Sequence, residues 1–363
     1  MCWDQAKSVA TVRTCGVAEI INSEFATPVG WGSGHLQTVR SRVLRRNYDL
    51  ADMGVQRSGL VPMQDGSGDR VAVHLHQVTR NESRGLVLLV HGLGGSAESD
   101  YVRATAMSML QAGFNVARVD LRGAGWSWYT SAGLYHAGRT EDLRAVMRQL
   151  ALMPEAQAAG RPRIFLMGFS LGGNTTIKLL GEPMDDLPVA AAVAVSAPLD
   201  LNAGAVHLSS MAFGLYEKYL LTGLRRQVLR PGPEGEPRVT QQERQLVQQA
   251  RTIADFDDAI TAPRNGWRDA NEYYRVNSSG QFLADVAAPL LVVHSVDDPM
   301  VPSGPYREID WHTLERNTPV QRVITPVGGH VGFHERGQRL PWFTEVAVEF
   351  LLENAGRPES KGS

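Results

Sequence analysis

Short runs of almost wholly apolar residues, each bounded by turn-forming residues, constrain the fold of this chain most strongly. Five of them alternate with segments of helical periodicity, namely Leu86–Val90, 116–121, 164–167, Val189–Val195 and 290–293. Runs this short and this apolar are typical of strands buried on both faces, as in a mainly parallel sheet. The alternation predicts right-handed crossovers with helices on both faces of the sheet, which is an α/β fold.

Three of the intervening segments predict helices, at 101–111, 141–152 and 171–180, each closed by a glycine or a proline. Upstream, residues 70–78 alternate between apolar and polar side chains. That pattern predicts an antiparallel strand toward the edge of the sheet.

The strand–helix alternation breaks between residues 200 and 288. An apolar face at helical spacing there, formed by Met211, Leu215, Tyr219 and Leu220, is followed by the polar run Gln241–Gln249. A helical insert between two strands predicts a lid over the carboxyl edge of the sheet, although such an insert can also merely pack. The expected organisation is an N-terminal tail (1–24), a core in two parts (25–199 and 289–353), the insert (200–288) and a disordered tail (354–363).

Composition excludes several classes of protein. The 36 basic and 38 acidic residues give a net charge of −2, so nucleic acid or an anionic membrane is not expected as the main partner. Cys2 and Cys15 are the chain's cysteines, which excludes a disulfide framework and a thiolate zinc site. No apolar stretch reaches about 18 residues and no signal peptide is visible, so we expect a soluble, cytoplasmic protein without a transmembrane segment.

The segment G-F-S-L-G at 168–172 carries the strongest chemical signal. It follows an apolar run and opens a predicted helix, which is the context of a nucleophile elbow. Small residues are needed where such a tight turn crowds the backbone. Ser170 would stand at the helix N-terminus, where backbone N–H groups favour a developing oxyanion. We therefore predict that Ser170 is a nucleophile.

A serine nucleophile needs a base, and in this strand–turn–helix arrangement the acid and then the histidine follow the serine along the chain. Five histidines do so: His207, His294, His312, His330 and His334. His330 lies in a glycine-flanked loop after an apolar run and is the predicted base. His334 is the alternative, whereas His294 ends a buried strand. Gly332 argues against the helix that a metal site on His330 and His334 would need, so no metal is expected.

The acid should end a strand between Ser170 and His330. Asp297 and Asp298 both qualify. Asp298 directly precedes Pro299 in a turn that would project its side chain, whereas Asp297 is expected to bond to the backbone. Asp200 is a third possibility. The acid would fix the imidazole tautomer and stabilise the imidazolium.

The second oxyanion donor should come from the glycine-rich loop 91–95. We predict the backbone N–H groups of Leu93 and Leu171 as the pair of donors, with His91 a structural residue. Rival motifs fail. Lys178 lies eight residues after Ser170, which does not fit a serine–lysine pair, and the phosphate-binding glycine patterns are absent. His74 and His76 are expected to be ordinary strand residues.

With these residues in place, the chain resembles the α/β-hydrolases from 25 to 352. Further motifs make it similar to the YheT-like branch, which includes yeast medium-chain fatty-acid ethyl ester synthase/esterases and mammalian acylglycerol lipases. They are G-H-L-Q-T at 34–38, D-L-R-G at 120–123, Y-H-A-G at 135–138, S-A-P-L-D at 196–200, F-D-D at 256–258 and Y-Y at 273–274. The resemblance implies a mainly parallel eight-stranded sheet flanked by helices, with a helical lid. It also implies the triad Ser170, Asp298 and His330, favouring Asp298 over Asp297, and no cofactor.

The expected activity is serine-dependent hydrolysis of short- to medium-chain carboxylic esters through an acyl-enzyme, with Met211, Leu215 and Tyr219 contacting the small-molecule acyl ester. The alternatives are an alcohol acyltransferase, an acylglycerol lipase and a binding protein on a hydrolase scaffold. The mammalian relatives carry an N-terminal membrane anchor that is not visible in this sequence, which favours soluble esters. The oligomeric state is not indicated.

Overall fold

The computed structural model describes residues 25–44, 46, 48–78, 83–184 and 187–356. The expected tail 1–24, Cys2 and Cys15, and the end of the expected tail from 357 lie outside the described residues. Ten strands are described: β1 (Val55–Pro62), β2 (Arg70–Gln77), β3 (Leu86–Val90), β4 (Asn115–Val119), β5 (Gln157–Ala158), β6 (Arg161–Pro162), β7 (Ile164–Phe169), β8 (Val189–Val195), β9 (Leu290–Ser295) and β10 (Val320–Thr325).

Eight of these strands form one sheet in the order β1-β2-β4-β3-β7-β8-β9-β10, and β5 pairs with β6 in a separate ribbon. The six strands from β4 to β10 in that order are parallel, whereas β2 is antiparallel to both β1 and β4. The predicted mainly parallel, eight-stranded sheet is therefore confirmed. The sequence did not predict β1, which forms the edge beyond β2.

Thirteen helices are described, most of them in the crossovers and the insert. They are α1 (Gly34–Leu44), α2 (Asp100–Gln111), α3 (Thr140–Ala151), α4 (Leu171–Gly181), α5 (Leu201–Ser210), α6 (Leu215–Leu229), α7 (Gln241–Gln249), α8 (Ile253–Phe256), α9 (Ala262–Arg264), α10 (Ala270–Asn277), α11 (Gly304–Arg307), α12 (Trp311–Asn317) and α13 (Trp342–Ala355). The three helices predicted from periodicity correspond to α2, α3 and α4, each within one residue at either end.

The sheet is buried on both faces, and β3 shows why its sequence is wholly apolar. Leu86 and Leu88 pack in one cluster with residues of α3 and α4, whereas Val87 and Leu89 pack in another with residues of α2 and α13. Successive side chains of a strand point to opposite faces, so a strand in the centre of such a sandwich has no polar side. In the part of the chain that is described, no helix is both long and apolar enough to cross a membrane.

The helical insert differs from the expected one in its first half. The backbone between α5 and α6 breaks at Ala212 and Phe213, whose φ angles of 50° and 57° are left-handed. Met211 therefore lies before a kink and does not share a continuous helical face with Leu215. The insert has its own apolar cluster, which includes Leu221 and Val247.

The last helix extends two residues beyond the predicted end of the core. Asn354 is buried, and its side-chain amide donates to the Phe350 carbonyl (2.8 Å). The residues at 354 and 355 thus belong to α13 rather than to a tail, because the helix keeps packing on the sheet to its last turn.

A buried arginine joins the turn after β4 to α3 and to the loop between β1 and β2. Arg122 donates two hydrogen bonds to Asp142 in α3 (2.7 and 2.6 Å), one to Asp69 (2.9 Å) and one to Asp65 (2.7 Å). Its side chain is 2% exposed, so these carboxylates compensate a charge held away from water.

Arg122→Met should lower the free energy of unfolding by about 3–5 kcal/mol, because it leaves buried carboxylates without their counter-ion. Urea denaturation followed by circular dichroism measures this. Arg268→Met, which breaks an exposed pair with Asp269, is the control and should change the unfolding free energy little. Equal effects of the two substitutions would show that the Arg122 cluster does not stabilise the fold.

Candidate active site

Ser170 is the single residue between the end of β7 and the start of α4, and its backbone angles are φ 52° and ψ −121°. The left-handed backbone lets the chain reverse within one residue and leaves the side chain exposed to the cavity beneath the insert. Two glycines make the turn possible. A Cβ on Gly172 would lie 2.5 Å from the carbonyl oxygens of Val90 and His91, and one on Gly168 would lie 2.2 Å from the Gly172 carbonyl oxygen.

The two residues predicted to supply oxyanion donors line the same cavity as Ser170. Leu171 is the first residue of α4, and Leu93 lies in the loop after β3; both residues line the cavity. The N–H groups on either side of Leu93 are occupied, since Gly92 donates to the Tyr101 hydroxyl (3.0 Å) and Gly94 to the Tyr135 hydroxyl (2.7 Å). Among the described residues neither the Leu93 nor the Leu171 N–H has a hydrogen-bond acceptor, so both remain available to a ligand oxygen.

His330 and Asp298 form a hydrogen-bonded pair. The imidazole Nδ1–H donates to the Asp298 carboxylate (2.9 Å), which leaves Nε2 with a free lone pair. The second carboxylate oxygen accepts from the backbone N–H groups of Met300 (2.8 Å) and Val301 (2.9 Å). Burial alone would raise the pKa of Asp298, but His330 and these donors hold it below its usual value. The carboxyl is therefore ionised and fixed in place.

Four side chains from distant parts of the chain hold the loop that carries His330. Thr38 accepts from the His330 N–H (2.8 Å), Asp297 from the Gly329 N–H (2.9 Å) and Ser196 from the Val331 N–H (3.2 Å), while Ser295 donates to the Gly329 carbonyl (3.0 Å). The two adjacent aspartates thus have different partners. Asp297 fastens the loop backbone, and Asp298 contacts the imidazole.

The segment 34–38, which sequence reasoning noted only as a motif, packs directly against this loop. A Cβ on Gly34 would lie 1.8 Å from the Asp297 carbonyl oxygen, so this position must be glycine. The Gln37 side chain accepts from the His334 N–H (2.6 Å) and donates to the Trp31 carbonyl (2.7 Å). The start of α1 therefore orders the histidine loop from the far end of the chain. No local signal in the sequence indicates this contact.

His334 and His294, which also follow Ser170 along the chain, and His91, the predicted structural residue, have other contacts. His334 is 2% exposed, its Nε2 contacts the Ser41 hydroxyl (3.2 Å), and it does not line the cavity. His294 is buried and stacked on Tyr306 with ring centroids 3.9 Å apart. His91 donates from Nδ1 to the Gly92 carbonyl (2.8 Å).

The third possible acid, Asp200, has another task. Its side chain caps α5 by accepting from the Ala203 N–H (2.9 Å). N-terminal caps of this kind satisfy a helix donor that has no partner within the helix.

Ser170 and His330 line one cavity of about 1150 Å³, beneath the insert. In the described chain no hydrogen bond joins the Ser170 hydroxyl to the imidazole. Such contacts often tighten only when a substrate binds. No group of three or more histidine, cysteine or acidic side chains within the described ranges could hold a metal ion.

The insert supplies much of the cavity wall. Leu215 and Tyr219 line it, together with Leu208 and Leu224, which the sequence did not single out. Met211 does not line it, because the left-handed kink after it turns the chain before α6 begins.

Comparisons with known proteins find relatives over most of the chain. Residues 85–337 match a family model described as alpha/beta hydrolase fold. The putative esterase YheT of Escherichia coli K12 is 31% identical over 330 residues, which cover 90% of this chain and 92% of that protein. A monoacylglycerol lipase of Saccharomyces cerevisiae is 28% identical over 284 residues, covering 76% of this chain and 60% of the lipase. The solved Pyrococcus furiosus esterase Pf2001 shares the fold, with a TM-score of 0.57 and 19% identity over 86% of this chain and 96% of its own.

Acidification should destabilise the chain partly through His334. Burial, with Arg40 and Arg46 nearby, lowers the pKa of His334 to about 3. An unfolded histidine titrates near ~6.5, so below that pH the unfolded state binds more protons and stability falls. As the pH is lowered from ~6 to ~4, the free energy of unfolding of His334→Gln should fall less steeply than that of the natural chain, by about 1.4 kcal/mol per pH unit.

Urea denaturation at a series of pH values measures this slope. His312→Gln, at an exposed position, is the matched control and should leave the slope unchanged. If His334→Gln and the natural chain gave the same slope, His334 would not be held neutral in the fold.

Proposed function

The chain belongs to the α/β-hydrolase family, in its YheT-like branch, and on that premise we propose that it hydrolyses carboxylic esters through an acyl-enzyme on Ser170. One observation carries the proposal. A serine on a left-handed strand–helix turn shares a cavity with His330, which is paired with Asp298, and with Leu93 and Leu171, whose backbone N–H groups have no acceptor among the described residues. The names of the relatives, esterase and lipase, support the same reaction class.

In the acylation step, the Ser170 hydroxyl attacks the acyl carbon and its proton passes to Nε2 of His330. Asp298 stabilises the resulting imidazolium and keeps the ring in its orientation. The carbonyl oxygen becomes an oxyanion that accepts from the N–H groups of Leu93 and Leu171. The bond from the acyl carbon to the alcohol oxygen then breaks, and His330 returns the proton to the departing alcohol.

In the deacylation step, water takes the place of the alcohol. His330 removes a proton from the water as it attacks the acyl carbon, the same two N–H groups hold the second oxyanion, and Ser170 leaves with the proton. The carboxylic acid is released and the site returns to its starting state.

The insert supports a preference for medium-chain acyl groups. Leu208, Leu215, Leu220 and Leu224 give the cavity an apolar wall on the insert side. Each methylene of an acyl chain buried there gains about 0.8 kcal/mol. We infer that the acyl chain lies along this wall, and that hydrolysis improves from acetate toward medium-chain esters until the wall ends.

Ser170→Ala and His330→Ala should each remove nearly all esterase activity, and the double variant should be little worse than either, since the residues act as a unit. Activity on p-nitrophenyl octanoate and labelling by a fluorophosphonate probe, located by peptide mass spectrometry, measure this. His334→Gln is the control and should keep both. Labelling at another residue, or full activity in His330→Ala, would overturn the assignment; no labelling would favour a binding protein.

Leu215→Asp should selectively weaken long esters, because a carboxylate on the wall opposes burial of the acyl chain. The ratio of kcat/KM for octanoate to that for acetate should fall about tenfold. Val206→Asp introduces the same carboxylate at an exposed insert position outside the cavity and should leave the ratio unaltered. If Leu215→Asp weakened both esters equally, this helix would serve only to support the fold.

A further inference from the structure

The ester mechanism leaves one buried carboxyl of the cavity wall without a role. Asp257, from the F-D-D segment, is 8% exposed and lines the same cavity as Ser170. Its Oδ2 accepts from the Tyr274 hydroxyl (2.7 Å), and the Thr261 hydroxyl lies beside the same carboxyl. Thr261 and Tyr274 line the cavity as well. An acid and two hydroxyls therefore meet in a wall whose other insert residues are largely apolar.

The backbone at this point is unusual. Residues Asp257–Thr261 form a π-helical turn between α8 and α9. Such widened turns are rare and occur frequently at functional sites. The neighbouring Asp258 does not share the arrangement, because its carboxylate accepts from the Ala270 N–H at the start of α10 (2.5 Å) and lies outside the cavity wall. Of two adjacent acids, one caps a helix and the other faces the cavity.

Asp257 also differs from Asp69 and Asp142, two other buried acids, in its partners. Asp69 and Asp142 are neutralised by Arg122, whereas no ion pair reaches Asp257 in the described part of the chain. A carboxylate has about four lone-pair sites, and the hydrogen bond from Tyr274 fills only part of that capacity. Burying a carboxyl with partial hydrogen bonding costs free energy, so further donors are expected when the site is occupied.

We propose that Asp257, Thr261 and Tyr274 form a polar subsite that binds a hydroxyl group of the ester substrate. The hydroxyl donates to the Asp257 carboxylate and accepts from one of the two neighbouring hydroxyls. The substrate class is thus an ester with a second oxygen function, either in its alcohol part, as in a glycerol ester, or along its acyl chain, as in a hydroxyacyl ester. This inference rests on the proposed ester hydrolysis and adds the specificity of the same cavity.

The subsite should act on selectivity. A site built to hydrogen-bond a substrate hydroxyl rejects the analogue without it, because its buried polar groups are then left unpaired. An unsubstituted alkyl ester would leave Asp257 unsatisfied beside an apolar chain. Hydroxylated esters should therefore have the higher kcat/KM.

The test compares two matched pairs of esters on the full chain: monooctanoylglycerol against propyl octanoate, and propyl hydroxyoctanoate against propyl octanoate. The natural chain should favour the hydroxylated member of one pair by about tenfold in kcat/KM, and that pair identifies which part of the substrate carries the hydroxyl. Asp257→Leu and Tyr274→Phe should bring the ratio close to one. Asp258→Leu, the same change one residue along, is the control and should keep the preference.

No preference in the natural chain for either pair would overturn the subsite, as would a preference that survives both Asp257→Leu and Tyr274→Phe. If Asp257→Leu fails to fold by thermal melting, Tyr274→Phe and Thr261→Val decide, because each removes only a hydroxyl or replaces it with a methyl. Hydrolysis of propyl octanoate with labelling at Ser170 but no hydroxyl preference would refute the subsite alone. No hydrolysis of any ester and no labelling would refute the proposed function with it.

Discussion

The close approach of helix α4 to strand β3 is the constraint on which the site depends. Because Gly172 has no side chain, the first turn of α4 can pack directly on the carbonyl groups of Val90 and His91. That proximity forces Ser170 into its left-handed turn and brings the free N–H of Leu171 beside the loop that holds Leu93. The proposed nucleophile and oxyanion donors are thus positioned by one packing contact between a central strand and a helix start, before any substrate is present.

Much of the fold was predictable because parallel strands buried on both faces leave an unmistakable apolar run for each strand. β1 and α1 were not predictable in the same way. Seven of the eight residues of β1 are exposed, so the strand exists through its pairing with β2 rather than through its own pattern. The kink at Ala212 and Phe213 was also hidden, because neither residue type favours a left-handed backbone and only the surrounding structure imposes it.

In the candidate site, too, some residues could be predicted from the sequence and others could not. Ser170 and His330 could be predicted because each lies in a glycine-rich local pattern. The proline after Asp298 and the family resemblance favour Asp298 over Asp297, but neither signal identifies the partners of the two residues. Only the fold shows that one contacts the imidazole and the other the Gly329 N–H. Thr38 lies 292 positions from His330, from whose N–H it accepts a hydrogen bond, so no local pattern indicates the contact. The role proposed for Asp257 depends on its place in the cavity wall, which the sequence does not reveal.

The most direct measurement of the central claim is a crystal structure of the Ser170 phosphonate adduct. The phosphonate would stand in for the tetrahedral intermediate of acyl transfer. The account predicts that its non-bridging oxygen accepts from the N–H groups of both Leu93 and Leu171, while His330 stays on Asp298. An oxygen that points to solvent, or an imidazole that has left Asp298 for Asp297, would contradict it.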